Sequence, residues 1–179
     1  MSNHVINEVR FTSVTPPQVE RILGLARNQS KEIDFSILLP VPLNCWQGSV
    51  GSEHAKFPDN ALAWCSKNWS TKWNAYGAHY AEYDGADLVL RFKTAWNAPY
   101  GWLCALFNAG KLGFSYAYLS EGESAAHVGK FSLTPDSGVS DMEWKEIVAN
   151  QEERDHLGML LWGEEAWAEI EQEGRTESA

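Results

Sequence analysis

The chain carries only three cysteines, Cys45, Cys65 and Cys104, with no CxxC pair among them. An odd, widely spaced set supports neither a disulfide framework nor a zinc site, so buried free thiols are expected. Hydrophobic runs are short as well. None approaches the roughly eighteen residues a membrane helix needs, and Met1-Ser2-Asn3-His4 offers no secretory n-region or h-region. A cytoplasmic location with no membrane partner is the expectation. The sequence also lacks a GxxxxGK[ST] loop, a GxSxG elbow and any HxxxH or HExxH spacing, which leaves no support for phosphate cradling or a serine nucleophile. Glu153-Arg154-Asp155-His156 has the Glu-x-x-His spacing of carboxylate-bridged metal bundles, but those need a second copy and two further glutamates. A solvated helix face is the simpler reading. Glu82, Asp84 and Asp87 are likewise better explained as a polar turn than as an acid-base pair. No metal, cofactor or catalytic residue is expected, and the chain reads as a non-enzyme.

What the chain does have is apolar material and unevenly placed charge. Its 179 residues are 44% hydrophobic and 21% charged, with nine tryptophans, enough for one domain with a proper core and an appendage. The net charge of −10 is concentrated at one end: residues 1–140 sum to −1 and residues 141–179 to −9. A near-neutral domain followed by an acidic segment repels nucleic acid and attracts basic surfaces.

Periodicity gives the element order. Val5, Asn7, Val9 and Phe11 alternate with Ile6, Glu8 and Arg10 as a strand. Thr15-Pro16-Pro17 opens a helix through about Asn28, with Val19, Ile22, Leu23 and Ala26 on its apolar side. Residues 30–57 show little periodicity, and a short helix from Pro58 to about Asn68 follows. His79–Tyr83 and Asp87–Ala95 flank Asp84-Gly85 as a hairpin. Pro99 starts a second helix that Gly110 ends, and Leu112–Leu119 alternates again. Val128–Leu133 is a candidate fifth strand. The order β-α-β-β-α-β predicts an α+β, ferredoxin-like antiparallel sheet over residues 1–140, with a Trp-rich insertion at 30–76. Residues 141–179 read as an acidic helical extension with a disordered end, helical from Asp141 to about Gln172 and interrupted near Gly158 and Gly163.

Several segments carry a family resemblance. Trp64-Cys65-Ser66-Lys67-Asn68-Trp69-Ser70-Thr71-Lys72-Trp73-Asn74-Ala75 is followed by Phe92-Lys93-Thr94-Ala95-Trp96, with Asn3-His4-Val5-Ile6-Asn7 at the start and Asp34-Phe35 leading to Leu39-Pro40-Val41-Pro42. Over residues 3–129 these resemble the YubB ferredoxin-like proteins of bacteriophages and plasmids, a family without an assigned chemistry. Ser70 stands where that pattern has glycine, and Asn97-Ala98-Pro99 where it has Ser-Pro-Pro. The resemblance implies the ferredoxin-like fold and a mobile-element setting.

Two surfaces are candidates for binding. Trp69, Lys72, Trp73 and Asn74 combine large aromatic area with polar neighbours, as interface anchors do; the competing reading is a structural cluster of Trp64, Trp69, Trp73 and Trp96. Glu164, Glu165, Glu169 and Glu171 array carboxylates on the C-terminal helix. The leading expectation is an accessory protein that binds, and inhibits or modulates, a host nucleic-acid-handling protein with a basic surface, by acidic mimicry of nucleic acid. Anti-CRISPR or anti-restriction activity is its concrete form. The alternatives are a direct RNA- or single-stranded-DNA-binding sheet using Arg10, Arg91 and Lys93, or an enzyme of unknown type. The sheet lacks base-stacking aromatics on that face, offering Gly113, Ser115 and Ala117 instead. The C-terminal segment is therefore expected to lay Trp144 and Trp167 over it, with its carboxylates near Arg10 and Arg91.

Overall fold

The computed structural model describes residues 3–47, 60–121, 126–131, 147–148 and 151–177. Its elements are β1 (His4–Phe11), α1 (Pro16–Ala26), a 3-10 turn (Phe35–Ile37), α2 (Ala61–Asn68), β2 (Tyr76–Tyr83), β3 (Leu88–Ala95), α3 (Tyr100–Gly110), β4 (Phe114–Ser120), β5 (His127–Phe131), β6 (Ile147–Val148), α4 (Gln151–Trp162) and α5 (Glu164–Glu177). The architecture is α+β. A six-stranded sheet runs in the order β2-β3-β1-β4-β5-β6, and each neighbouring pair is antiparallel.

β1 lies between β3 and β4 because both of its faces carry apolar residues, and strict alternation sends each set to its own layer. Val9 and Phe11 join Leu88, Leu90 and Phe92 of β3 and Phe114 and Tyr116 of β4 on one face, under α1 and α3. Val19, Ile22 and Ala26 of α1 and Trp102, Leu103, Leu106 and Phe107 of α3 fill this core. Asn7 is fully buried within it. Its amide donates to Val5 O, Phe92 O and Thr94 Oγ1 and its carbonyl accepts from Tyr116 Oη at 2.6 Å, so the buried polar group is satisfied. The opposite face gathers Ile6 and Leu119 with Ala126 into a second core under Leu157 and Leu161 of α4 and Trp167 of α5.

Local chemistry explains the boundaries. Thr15 precedes Pro16 and Pro17, and the Gln18 side chain reaches back to accept from the Thr15 backbone N–H at 2.8 Å. Asn60 caps α2 by accepting from Ala63 N–H at 2.9 Å, so that helix begins at Ala61 rather than at Pro58. Asp84 accepts from Ala86 and Asp87 N–H in the β2–β3 hairpin, with Gly85 at φ +100°. Lys111, not Gly110, takes the left-handed position after α3. Gly110 is buried against α1, where an added Cβ would stand 2.8 Å from Ile22 Cδ1. Its smallness serves packing between helices rather than the turn.

The C-terminal region departs from its expected form in three ways. Ile147 and Val148 pair with β5 as a strand instead of lying in a helix; both are β-branched, and they cover part of an edge that β5 would leave open. The helix also runs unbroken through Gly158. A Cβ there would lie 2.3 Å from Trp167 Cδ2, so this glycine lets the α5 indole rest directly on the α4 backbone. The break falls at Gly163 alone, which sits at φ +90°. Finally, α5 continues to Glu177, past the expected end near Gln172. Trp144, expected over the sheet, lies outside the described residues. Among the described residues no helix is long and apolar enough to cross a membrane.

Candidate partner-binding surfaces

The α4–α5 hairpin occupies the second face of the sheet. Leu157 and Leu161, four residues apart, are buried against Ile6 and Leu119. Beside them Glu8 of β1, nearly buried, acts as a polar hub. Arg91 Nε donates to its Oε2 at 2.6 Å, Arg10 Nη2 to its Oε1 at 3.2 Å, and His156 Nε2 of α4 to Oε2 at 2.9 Å. Burial pushes the Glu8 carboxyl up, but the hydrogen bonds from His156 and Arg91 and their charge outweigh it and hold it below its ordinary value. A cleft of about 180 Å³, lined in part by Glu8, Arg10, Ser115, Glu153 and His156, remains between helix and sheet.

The third basic residue of this face is also engaged: Lys93 Nζ donates to Leu161 O at 3.0 Å, where α4 leaves carbonyls unpaired. Arg10, Arg91 and Lys93 therefore share one face, as the alternation implies, and that face lies under α4. Carboxylates of the C-terminal segment were expected against Arg10 and Arg91; Glu8 of the sheet itself is the carboxylate that binds both. Its register opposite Arg91 makes it the nearer partner. Arg91 further stacks on Tyr80, its guanidinium 4.8 Å from the ring centre.

The acidic side of the hairpin points outward. Glu164, Glu165 and Glu169 are exposed, as are Glu152 and Glu153 on α4. Glu171 differs: Arg154 Nη1 lies 2.6 Å from its Oε1, binding it across the hairpin. Trp167 is locked on the inside by a hydrogen bond from its Nε1 to Asp155 Oδ1 at 3.2 Å, the Arg154 guanidinium at 5.0 Å and a stacked Trp162 at 5.5 Å. The Glu-x-x-His pair does not converge on a metal geometry, since His156 turns to Glu8. Among the described residues no group of three or more His, Cys, Asp or Glu is placed to hold a metal ion.

The Trp-rich segment divides into an inner and an outer half. Trp69 is buried; its Nε1 donates to Leu39 O at 3.0 Å and its ring meets Phe35 and Trp64 edge-on. Asn74 accepts from Phe35 N–H at 2.9 Å and donates to Asp34 Oδ1 at 2.7 Å. These two residues fasten the 34–39 segment to the sheet and are not available as anchors. Lys72 and Trp73 lie outside. Lys72 N–H reaches Ala95 O at 3.5 Å, which brings the segment beside the end of β3 and sets Trp73 near Trp96. Trp73 and Trp96 are 40% and 54% exposed, far more than tryptophan usually is. The Lys72 ammonium lies over both rings, 5.0 Å from one centre and 4.9 Å from the other. A cleft of about 220 Å³ opens beside them, lined by Leu62, Ala63, Ser66, Lys72, Trp96 and Asn97.

Trp96 is held at φ +76°, a conformation costly for a bulky side chain. Its N–H donates to Asn3 O at 2.9 Å, and Thr94 Oγ1 donates to Asn97 O at 2.8 Å. The structure thus adds Trp96 to the outer site; its position just past the alternating strand was the available signal. Of the cysteines, only Cys65 is buried, its thiol pushed up to about 11 by desolvation, while Cys45 and Cys104 are half-buried. Comparison with protein-family models, curated proteins and solved structures found no match to the chain.

Proposed function

We propose that this chain is a YubB-like, ferredoxin-like accessory protein of a mobile element that binds a basic, nucleic-acid-handling host protein and inhibits or modulates it. The proposal of the fold family is supported by the strand order β2-β3-β1-β4 with α1 and α3 on one face, the arrangement of two split βαβ units. One observation carries the binding mode: Arg10 and Arg91 are bonded to Glu8 of the sheet and Lys93 to Leu161 O of the docked α4, while Glu164, Glu165 and Glu169 are left in solvent on the same hairpin. Carboxylates presented by a docked helix suit a groove lined by Lys and Arg, speeding association and making it sensitive to salt. Inhibition of CRISPR or restriction machinery is the concrete form.

The test is capture from plasmid-bearing or infected host cells by the full chain and by the triple variant Glu164→Gln, Glu165→Gln, Glu169→Gln. The captured protein should be basic and displaced by DNA, and the triple variant should bind it roughly tenfold more weakly at low salt, at a few tenths of a kcal/mol to 1 kcal/mol per exposed charge. Equal capture by both chains removes acidic mimicry. Direct nucleic-acid binding is the second reading, and α4 covers the sheet face it requires. A gel shift at low salt that Arg91→Glu abolishes would favour it over mimicry.

A further inference from the structure

Trp73 and Trp96 are exposed, Trp96 is held in a left-handed backbone conformation, and neither arrangement serves the core described above. A cation already lies over both indoles. Lys72 lies about 5 Å from both ring centres, within the distance at which an indole face attracts a positive charge. An ammonium on a flexible four-carbon stem can leave such a position at little cost, since exposed contacts of this kind are weak. We propose that Trp73 and Trp96 are the walls of a receptor for one arginine side chain of the protein partner, and that Lys72 is its internal stand-in, displaced on binding.

The inference rests on the reading of a basic partner and adds the point at which that partner is gripped. Charge and placement favour a cation over other occupants. Lys93 lies opposite Tyr76 in the sheet register, and its ammonium reaches Leu161 at the end of α4. Tyr76 in turn stands 6.4 Å from Trp73, ring to ring. The turn into α5, with Glu164 and Glu165 exposed just beyond it, is therefore at the same end of the sheet as the tryptophan pair. A basic surface drawn to those carboxylates arrives beside the two indoles. A guanidinium is planar and weakly hydrated, and stacks between aromatic faces better than an ammonium does.

The test is a titration of the full chain with arginine amide, followed through the indole N–H signals of Trp73 and Trp96, each assigned by its Trp→Phe variant. Both signals should move in the wild type. Lys72→Ala should bind the probe roughly fivefold more tightly, the factor expected when a stand-in worth about one exposed cation–π contact is removed. Combining Lys72→Ala with Trp96→Ala should abolish that gain. Unchanged or weaker binding by Lys72→Ala overturns the proposal, and weaker binding would assign Lys72 to an anionic ligand instead. A gain that persists without Trp96 overturns it too, since it would reflect net charge alone. The titration uses no host protein, so its failure leaves the outcome for the three-glutamate variant separately readable.

Discussion

Replacing Gly158 by alanine sets two effects of opposite sign against each other. An alanine in a helix interior is about 1 kcal/mol more favourable than glycine, so propensity alone makes Gly158→Ala stabilising. The new methyl would stand 2.3 Å from Trp167 Cδ2 and Cε2, roughly 1.2 Å short of the ~3.5 Å at which carbon atoms touch. The indole must move, yet Asp155, Arg154 and Trp162 all hold it in place. Undocking it entirely would expose up to ~200 Å² at ~25 cal/mol per Å², an upper bound of about 5 kcal/mol. Strained accommodation is cheaper, at about 1–3 kcal/mol for an overpacked site, and the fixed ring argues for the upper end. The net loss should be about 2 kcal/mol, or a fall of roughly 1 M in the urea midpoint. The Trp167 indole N–H signal should shift with it. In a Trp167→Ala background the same substitution should become stabilising by about 1 kcal/mol. A Gly158→Ala chain with a raised midpoint would refute the close-approach argument.

Other substitutions probe the Glu8 hub, the hydrogen bond that joins Ile33 to His79, and the turn at Ser70. Glu8→Gln removes the charge that Arg91, Arg10 and His156 share and should cost roughly 2–3 kcal/mol. Because the folded Glu8 carboxyl lies below its usual 4.5, its contribution is full above that value and is lost as pH falls through the folded value. Urea midpoints of Glu8→Gln should accordingly lose part of the acid decline; an unaltered pH profile would count against the hub. His79 Nδ1 accepts from Ile33 N–H at 3.1 Å, and burial lowers its pKa from 6.5. The unfolded ring takes its proton first, so stability should fall as pH drops below about 6.5. His79→Asn should flatten that slope, and an equally steep slope in the variant would assign it elsewhere. Ser70 sits at φ +68° and accepts from Gly101 N–H at 3.1 Å. Ser70→Ala should cost about 1 kcal/mol by losing the acceptor while keeping the strained backbone, whereas Ser70→Gly trades one for the other and should be near neutral. Equal unfolding midpoints for the two variants would show that the backbone carries no strain.

Ser70 also shows what a sequence can and cannot disclose. Its backbone is left-handed, the conformation glycine takes most freely, and a serine in sequence gives no sign of that. Strands β1, β3 and β4 were legible because their two faces meet different layers, so alternation survives along their length. Gly158 was misread because a glycine that ends a helix and one that admits a ring look alike in one dimension; only the fold of α5 back onto α4 separates them. Glu8 was readable as facing Arg91's side of the sheet, yet its role as the shared acceptor needed the strand register. The division of the Trp-rich segment was not legible at all. Trp69 and Trp73 differ in burial because one lies under the 34–39 segment and the other beside the end of β3, and neither contact is local in sequence.

The two sets of charges in this molecule should respond differently to salt, and that difference separates folding from binding. The Glu8 cluster is shielded by α4 and bonded at 2.6 to 3.2 Å, distances at which mobile ions do not intervene. Glu164, Glu165 and Glu169 are in solvent, where a unit charge is screened beyond about 8 Å at physiological ionic strength and about 3 Å at 1 M. Raising salt should therefore release the proposed basic partner well before it loosens the sheet or the docked hairpin. The aromatic pair falls between these limits, because attraction to an indole face acts over a few ångströms and includes dispersion as well as charge. A partner gripped between Trp73 and Trp96 would keep a salt-resistant remainder of its affinity after the acidic face has been screened. A partner held by the carboxylates alone would keep none.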